Sequence, residues 1–145
     1  MSRYPVLYQV NTRVWLTKLG KELGRQATLD DIPDSALDEW QAAGFEWIWL
    51  LSVWQTGPLG QQISRTHPDW QHEFRETLTD LCDDDIPGSG FAISAYDVHE
   101  NLGGDAALAR LRERMKRRGL KLMLDFVPNH TGPDHHWVEE HPEYF

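Results

Sequence analysis

Two strand-length stretches, FEWIWLL at 45–51 and LKLMLDFV at 120–127, are apolar at nearly every position rather than at every second one. A strand of that kind is expected to be covered on both faces, which points to a parallel sheet with helices on either side. VLYQV at 6–10 is a third β-prone run, and Asn11-Thr12 punctuates its end. Pro33 stands where a first helical residue would, Asp34, Asp38 and Glu39 lie near the positive end of that helix, and Gly44 caps it. Asp105 suits the N-cap of a later helix, which carries Leu108, Leu111 and Met115 on one face and Arg117-Arg118 in its last turn, and stops at Gly119. HPDWQHEFRETLTDL reads as a further helix opening at Pro68. The polar stretch Thr17 to Asp31, the loop-like WQTGPLGQQISR and the irregular FAISAYDVHENLGG have no clear period, and DDDIPGSG is a turn cluster. Strand, helix, strand, long excursion, helix, strand is the order of right-handed parallel βαβ units, and the fold class is α/β.

Composition narrows what such a chain does. Its 145 residues are the usual size of one domain, and 40% hydrophobic with 26% charged residues is a globular mixture. A net charge of −9 argues against nucleic acid, whose phosphates are met by clustered Lys and Arg. Cys82 is the single cysteine, so neither an internal disulfide nor a cysteine-rich metal site is available. No signal-peptide pattern and no apolar run of ~18 residues occurs, which leads to the expectation of a cytoplasmic protein without a membrane span. Seven tryptophans, Trp15, Trp40, Trp47, Trp49, Trp54, Trp70 and Trp137, are many for this length. Trp47 and Trp49 alternate with Phe45 and read as core; Trp54, Trp70 and Trp137 lie in loops or loop-borne helices, where indoles serve as core or as platforms for sugar rings.

Asp125 is the strongest local oddity, a carboxylate inside an apolar strand. Burying it costs several kcal/mol, on the order of 2–7 for a polar group, unless it is hydrogen-bonded. It either caps the following turn or belongs to a site at the strand's C-terminal end, where α/β proteins bind ligands. Asn129 and His130 follow beyond Pro128, with an imidazole that can donate to hydroxyls or bind metal. His135, His136 and His141 among Glu139, Glu140 and Glu143 match no metal motif and read as a solvated acidic loop. His67 and His72, five apart, do not share a helical face. Asp83-Asp84-Asp85 reads as a solvated turn, since glycosidic cleavage needs carboxylates facing each other across the bond. Gly88-Ser89-Gly90 is no nucleophile elbow, Cys82 has no evident activating partner, and Gly103-Gly104 is no phosphate loop. The basic run from Arg110 to Lys121 reads as a solvated helix face.

Four segments together, YQVNTRVWL, GFEWIWLLSVWQTG, FAISAYDVHENLGG and LKLMLDFVPNH, resemble in order and spacing the start of the α-amylase family of glycoside hydrolases. DFVPNH at 125–130 fits that family's D-x-V-x-N-H signature at the end of the third barrel strand. The resemblance implies a partial (β/α)8 TIM barrel: three parallel strands with a long excursion after the second, residues 1–145 being the N-terminal fragment of the catalytic domain. It implies a substrate-binding set of His130, Asn129, Asp125, Phe91 and Trp54. His130 would bond the sugar at the cleavage subsite, Asn129 would support the loop, Asp125 would hold the strand end through buried hydrogen bonds, and Phe91 lies near a sugar-stacking tyrosine of many members. Asn11, Trp54, the excursion and His130 would share one rim. Ala95-Tyr96 replaces the common Asp-Tyr, which bears on how the loop is braced. No metal is expected, although in calcium-dependent members the residue matching Asn129 is a calcium ligand.

Family members act with retention, using an Asp nucleophile after strand four and a Glu acid after strand five. No acid here sits in a G-F-R-x-D context, so the expectation is no catalytic residue in this chain, inactivity by itself, and a parent that hydrolyses or transfers α-glucosidic bonds of an α-glucan or oligosaccharide. The ending at Tyr144-Phe145, after a loop-like stretch, fits the same expectation, with the remainder of the barrel as partner. Alternatives are a non-catalytic carbohydrate-binding or interaction module and a metal-dependent hydrolase using the histidine-rich tail. Two unpaired sheet edges and uncovered apolar faces lead to the expectation that the isolated chain is aggregation-prone or molten.

Overall fold

The computed structural model describes residues 4–145. In chain order its elements are β1 (Leu7–Asn11), α1 (Thr12–Leu23), α2 (Asp34–Ala42), β2 (Trp47–Leu51), β3 (Trp54–Thr56), α3 (Pro58–Thr66), α4 (Pro68–Thr77), β4 (Ile93–Val98), α5 (Gly104–Lys116), β5 (Lys121–Leu124) and α6 (Trp137–Glu140). Single 3-10 turns cover Leu29–Asp31, Asp83–Asp85, Glu100–Leu102 and Pro142–Tyr144. The elements divide between two compact units. The first holds the described residues up to Val53 together with Asp97–Phe126, and the second holds Trp54–Tyr96 with Val127–Phe145.

The first unit is built on a parallel sheet in the order β1-β2-β5. Val10 stands opposite Leu50, which stands opposite Leu124, and both pairings are parallel. The apolar run of the central strand β2 has the cause expected of it: Ile48 and Leu50 are fully buried, and Trp47, Trp49 and Leu51 are half-buried on the other face. β5 departs from the expectation of double cover. Lys121 and Met123 are exposed because β5 lies at the end of the sheet order, where one face receives less packing. Leu29, Ile32, Leu37, Leu111 and Met115 complete a dense core around β2.

The polar stretch from Thr17 conceals the second half of α1. The Asn11 side chain accepts the N–H of Val14 and so caps the helix, which ends at Gly24 in the left-handed conformation (φ 67°). Only Thr12 and Leu16 of this helix are buried, so it shows little apolar period. Two caps differ from expectation. Pro33 is the N-cap of α2, and α5 follows Gly103 (φ 97°), while the Asp105 carboxylate reaches back to accept the N–H of Val98 at 2.9 Å. Gly44 behaves as expected, just past α2 with φ 85°.

The basic run on α5 is not merely solvated. Arg110 pairs with Asp30, Arg114 with Asp34, and Arg118 with both Asp34 and Asp38. Acids and bases each recur every four residues, Asp30 in a 3-10 turn and Asp34 and Asp38 on α2 meeting Arg110 and Arg114 on α5 and Arg118 just past its end.

In the second unit β3 and β4 form a two-stranded sheet, the last two residues of β4 belonging to the first unit. WQTGPLGQQISR, expected as a loop, contains β3 and α3, and the segment expected as irregular contains β4. They escape a reading by pattern because β3 has three residues and the apolar side chains of α3, Leu59 and Ile63, are exposed. The histidine-rich tail, expected as a loop, forms α6 and a 3-10 turn. Among the described residues, the second unit's buried apolar side chains are Ile86 and Ile93. No helix of the described residues is long and apolar enough to cross a membrane.

Candidate functional site

In the first unit the carboxylate of Asp125, 6% exposed, sits just past the end of β5. Trp49 Nε1–H donates to its Oδ1 at 2.8 Å and Ser52 N–H donates to its Oδ2 at 2.6 Å. Charge-assisted bonds of this length offset the burial of the acid. Ser52 adopts the left-handed conformation (φ 66°) rare for a residue with a side chain, and its carbonyl accepts Arg13 Nε–H at 3.0 Å. Burial holds the Arg13 guanidinium below its ordinary value. His99 lies in the same unit. Its Nδ1 accepts the N–H of Asn101 at 3.2 Å, and burial followed by the charge of Arg13 keeps the imidazole below its ordinary value, against a smaller opposing effect of Glu100. Trp49, expected as core only, thus supplies an indole donor, and Arg13 and Ser52 are participants that sequence reasoning missed. Their signals were faint, one arginine after β1 and a serine at a strand end.

The other four expected residues fall in the second unit. Asn129 and His130 are brought together: both are exposed, and the Asn129 Nδ2 lies 3.3 Å from His130 Nδ1. Trp54, on β3, packs edge-on against Tyr96 with ring centres 5.3 Å apart. Phe91 is 40% exposed in the turn before β4, its N–H donating to Ser89 Oγ. Tyr96, half of the unusual Ala95-Tyr96 pair, provides the bracing that the pair put in question. Its hydroxyl accepts the N–H of Val127 at 2.9 Å and donates to the Val127 carbonyl at 3.3 Å.

Beyond His130 the chain gathers aromatic rings. His135 stacks on His136 at 4.5 Å, Trp137 meets Tyr144 edge-on at 5.4 Å, and His141 stacks on Tyr144 at 4.8 Å while bonding Glu143. His135 Nδ1 accepts the N–H of Trp137, and burial followed by the neighbouring His136 keeps this imidazole below its ordinary value. His67 stands between α3 and α4 rather than on a helical face, and His72 pairs with Glu76. Cys82 Sγ–H donates to Asp85 Oδ2 at 3.0 Å, a carboxylate and not an activating base. Among the described residues no group of three or more His, Cys, Asp or Glu side chains is placed to hold a metal ion. Asn129 is exposed, with its amide nitrogen turned to the His130 imidazole.

Residues 36–144 match the family model of the alpha amylase catalytic domain. The chain belongs to the alpha-amylase family. An alpha-1,4-glucan:maltose-1-phosphate maltosyltransferase of Salinibacter ruber is 34% identical over 129 residues, 82% of this chain and 17% of that protein. An alpha-glucosidase of Apis mellifera is 45% identical over 51 residues, 34% of this chain and 9% of that one. The crystal structure of an alpha-amylase from Lactobacillus plantarum superposes with a TM-score of 0.67 at 25% identity, covering 97% of this chain and 26% of that one. The matched segments thus span between 9% and 26% of the length of these relatives. Its sheet β1-β2-β5 corresponds to the first three strands of the family's (β/α)8 barrel, with a long excursion between β2 and α5.

Proposed function

We propose that residues 1–145 are the opening part of the catalytic barrel of an enzyme that hydrolyses or transfers α-glucosidic bonds, acting on an α-glucan or oligosaccharide. The observation that carries the reading is the division of labour within DFVPNH: a buried Asp125 committed to Trp49 and Ser52, followed by an exposed Asn129–His130 pair. In this reading Asp125 holds the strand end and His130 donates to a sugar hydroxyl, with Asn129 orienting the imidazole. Trp54 and Phe91 offer rings to the apolar faces of sugars. The nucleophile and general acid of a double displacement are not assigned to any acid of these residues, and the 145-residue chain alone is expected to be inactive.

The test is expression of the reading frame with whatever follows codon 145, assayed on maltooligosaccharides by NMR of the released or transferred sugar. Retained α configuration is expected, with His130→Ala lowering kcat/KM about tenfold or more, the effect of one or two lost hydrogen bonds. Product sugar identifies hydrolysis, and a lengthened oligosaccharide identifies transfer. A protein from the longer frame that leaves every α-glucoside untouched, or a frame that closes after Phe145, overturns the proposal.

A further inference from the structure

The segment that carries Asn129 and His130 is fastened at points that the sequence signature does not include. At one side Val127 is gripped through both its N–H and its carbonyl by the Tyr96 hydroxyl. At the other, the N–H of Gly132 donates to the carbonyl of Ile93 at 2.7 Å. Gly132 is required there, because a Cβ would stand 2.5 Å from the carbonyl oxygen of Ala92. Between these ties Pro128, Asn129 and His130 are exposed, whereas Gly132 is buried.

The next residue but one, Asp134, makes a double tie. Asp134 Oδ1 accepts the N–H of Leu59 and Oδ2 accepts the N–H of Gly60, both at 3.0 Å. These are two of the first N–H groups of α3, a helix whose own N-cap, Gly57, has no side chain to offer and whose first residue, Pro58, has no N–H. Asp134 thus caps α3 from 74 to 75 residues away in sequence, favoured also by the positive end of the helix dipole. Gly57 allows the approach, since a Cβ at that position would overlap Asp134 Cβ and Cγ.

We propose that Asp134 is a positioning residue for sugar binding: its carboxylate latches the His130-bearing segment to the N-terminus of α3 and so sets the direction in which the imidazole is presented. The inference rests on the sugar-binding reading of His130. Holding a donor in its productive orientation lowers the entropy lost on binding, so releasing the latch weakens affinity without removing a contact to the ligand.

The experiment uses the protein expressed from the reading frame continued past codon 145, carrying Asp134→Ala, Asp134→Asn or His130→Ala. Amide exchange at Leu59 and Gly60, the imidazole NMR signals of His130, and a maltotriose titration are read on each. Asp134→Ala is expected to speed exchange at both amides, broaden or shift the His130 signals, and weaken maltotriose binding about tenfold. Asp134→Asn, which keeps one acceptor oxygen, is expected to recover part of both effects. His130→Ala is expected to abolish the His130 contribution with exchange at Leu59 and Gly60 unchanged. Faster exchange in Asp134→Ala with unmoved His130 signals and unchanged affinity would reduce Asp134 to a plain helix cap and overturn the proposal. Should the parent sequence ignore maltotriose while Asp134→Ala still disturbs His130, the sugar reading fails and the latch itself survives.

Discussion

The two units are held in different ways. The first is organised by apolar burial: Leu29, Leu37, Ile48 and Leu50 are all fully buried, and its exposed helical rows are joined by arginine–aspartate pairs. The second buries Ile86 and Ile93 and otherwise relies on directed polar ties, with Asp134 on α3, Tyr96 on Val127 and Gly132 on Ile93. The expected sugar-facing residues other than Asp125 lie in the second. A sheet with a continuous core supplies rigidity, and segments fixed by a few hydrogen bonds can be shaped for a ligand without disturbing it.

That contrast breaks most readily in the core. Ile48→Ala is expected to cost about 2–5 kcal/mol and to unfold the first unit at lower denaturant, as followed by Trp fluorescence. A loss below 1 kcal/mol would mean the sheet is less tightly packed than its burial shows. Asp125→Ala leaves the N–H groups of Trp49 and Ser52 without this acceptor and is expected to cost about 1–3 kcal/mol in the same unit, with the Trp49 indole resonance moving. Gly57→Ala sharpens the other side of the comparison. Its new Cβ collides with Asp134, and a cost of about 1–3 kcal/mol is expected to appear as faster amide exchange in α3 while the amides of β2 stay protected. Equal loss of protection in β2 would show that the units do not respond separately.

Acid is expected to act more gently. In the first unit His99 is held below its ordinary value by burial and Arg13, so the unfolded chain takes up a proton first as pH falls through about 6.5. Stability from this source is intact above that pH and declines below it. Hydrogen bonds from Arg110 and Arg114 hold Asp30 and Asp34 below the usual carboxylate range, and the bond from Arg25 does the same for Asp31. Their contribution is present above that range and is lost as pH falls beneath it. Protection of the α5 amides, corrected for the intrinsic pH dependence of exchange, should therefore fall in two steps, one below about pH 6.5 and one below the usual carboxylate range, the second reduced by salt. A single step would remove either His99 or the paired aspartates from the account.

What could be read from sequence follows the same division. β1, β2, β5 and α2, α4 and α5 announce themselves through apolar runs, proline starts or a periodic stripe, because their positions are dictated by burial. α1, β3, α3 and β4 do not: two are short or irregular in pattern, and α3 exposes its apolar side chains and takes its cap from Asp134, 75 residues away. Asp125 stood out as an acid within an apolar strand, but its partners Trp49 and Ser52 lie 76 and 73 residues off, and nothing in a linear pattern pairs them. The basic row on α5 was visible, whereas its match to Asp30, Asp34 and Asp38 required the two segments to face each other. The exposed Leu7, Tyr8 and Phe126 keep alive the expectation of aggregation, which Tyr8→Lys should relieve in sedimentation experiments.

The central claim is that DFVPNH splits into a structural carboxylate and a sugar-facing imidazole. A maltotriose titration of the protein expressed from the reading frame continued past codon 145, with the His130 imidazole and Trp49 indole N–H followed together by NMR, tests it most directly. Saturable movement of His130 with Trp49 still, its bond to Asp125 unbroken, is the predicted result. Movement of Trp49 with His130 unaffected, or no response of His130 at millimolar maltotriose, would contradict it.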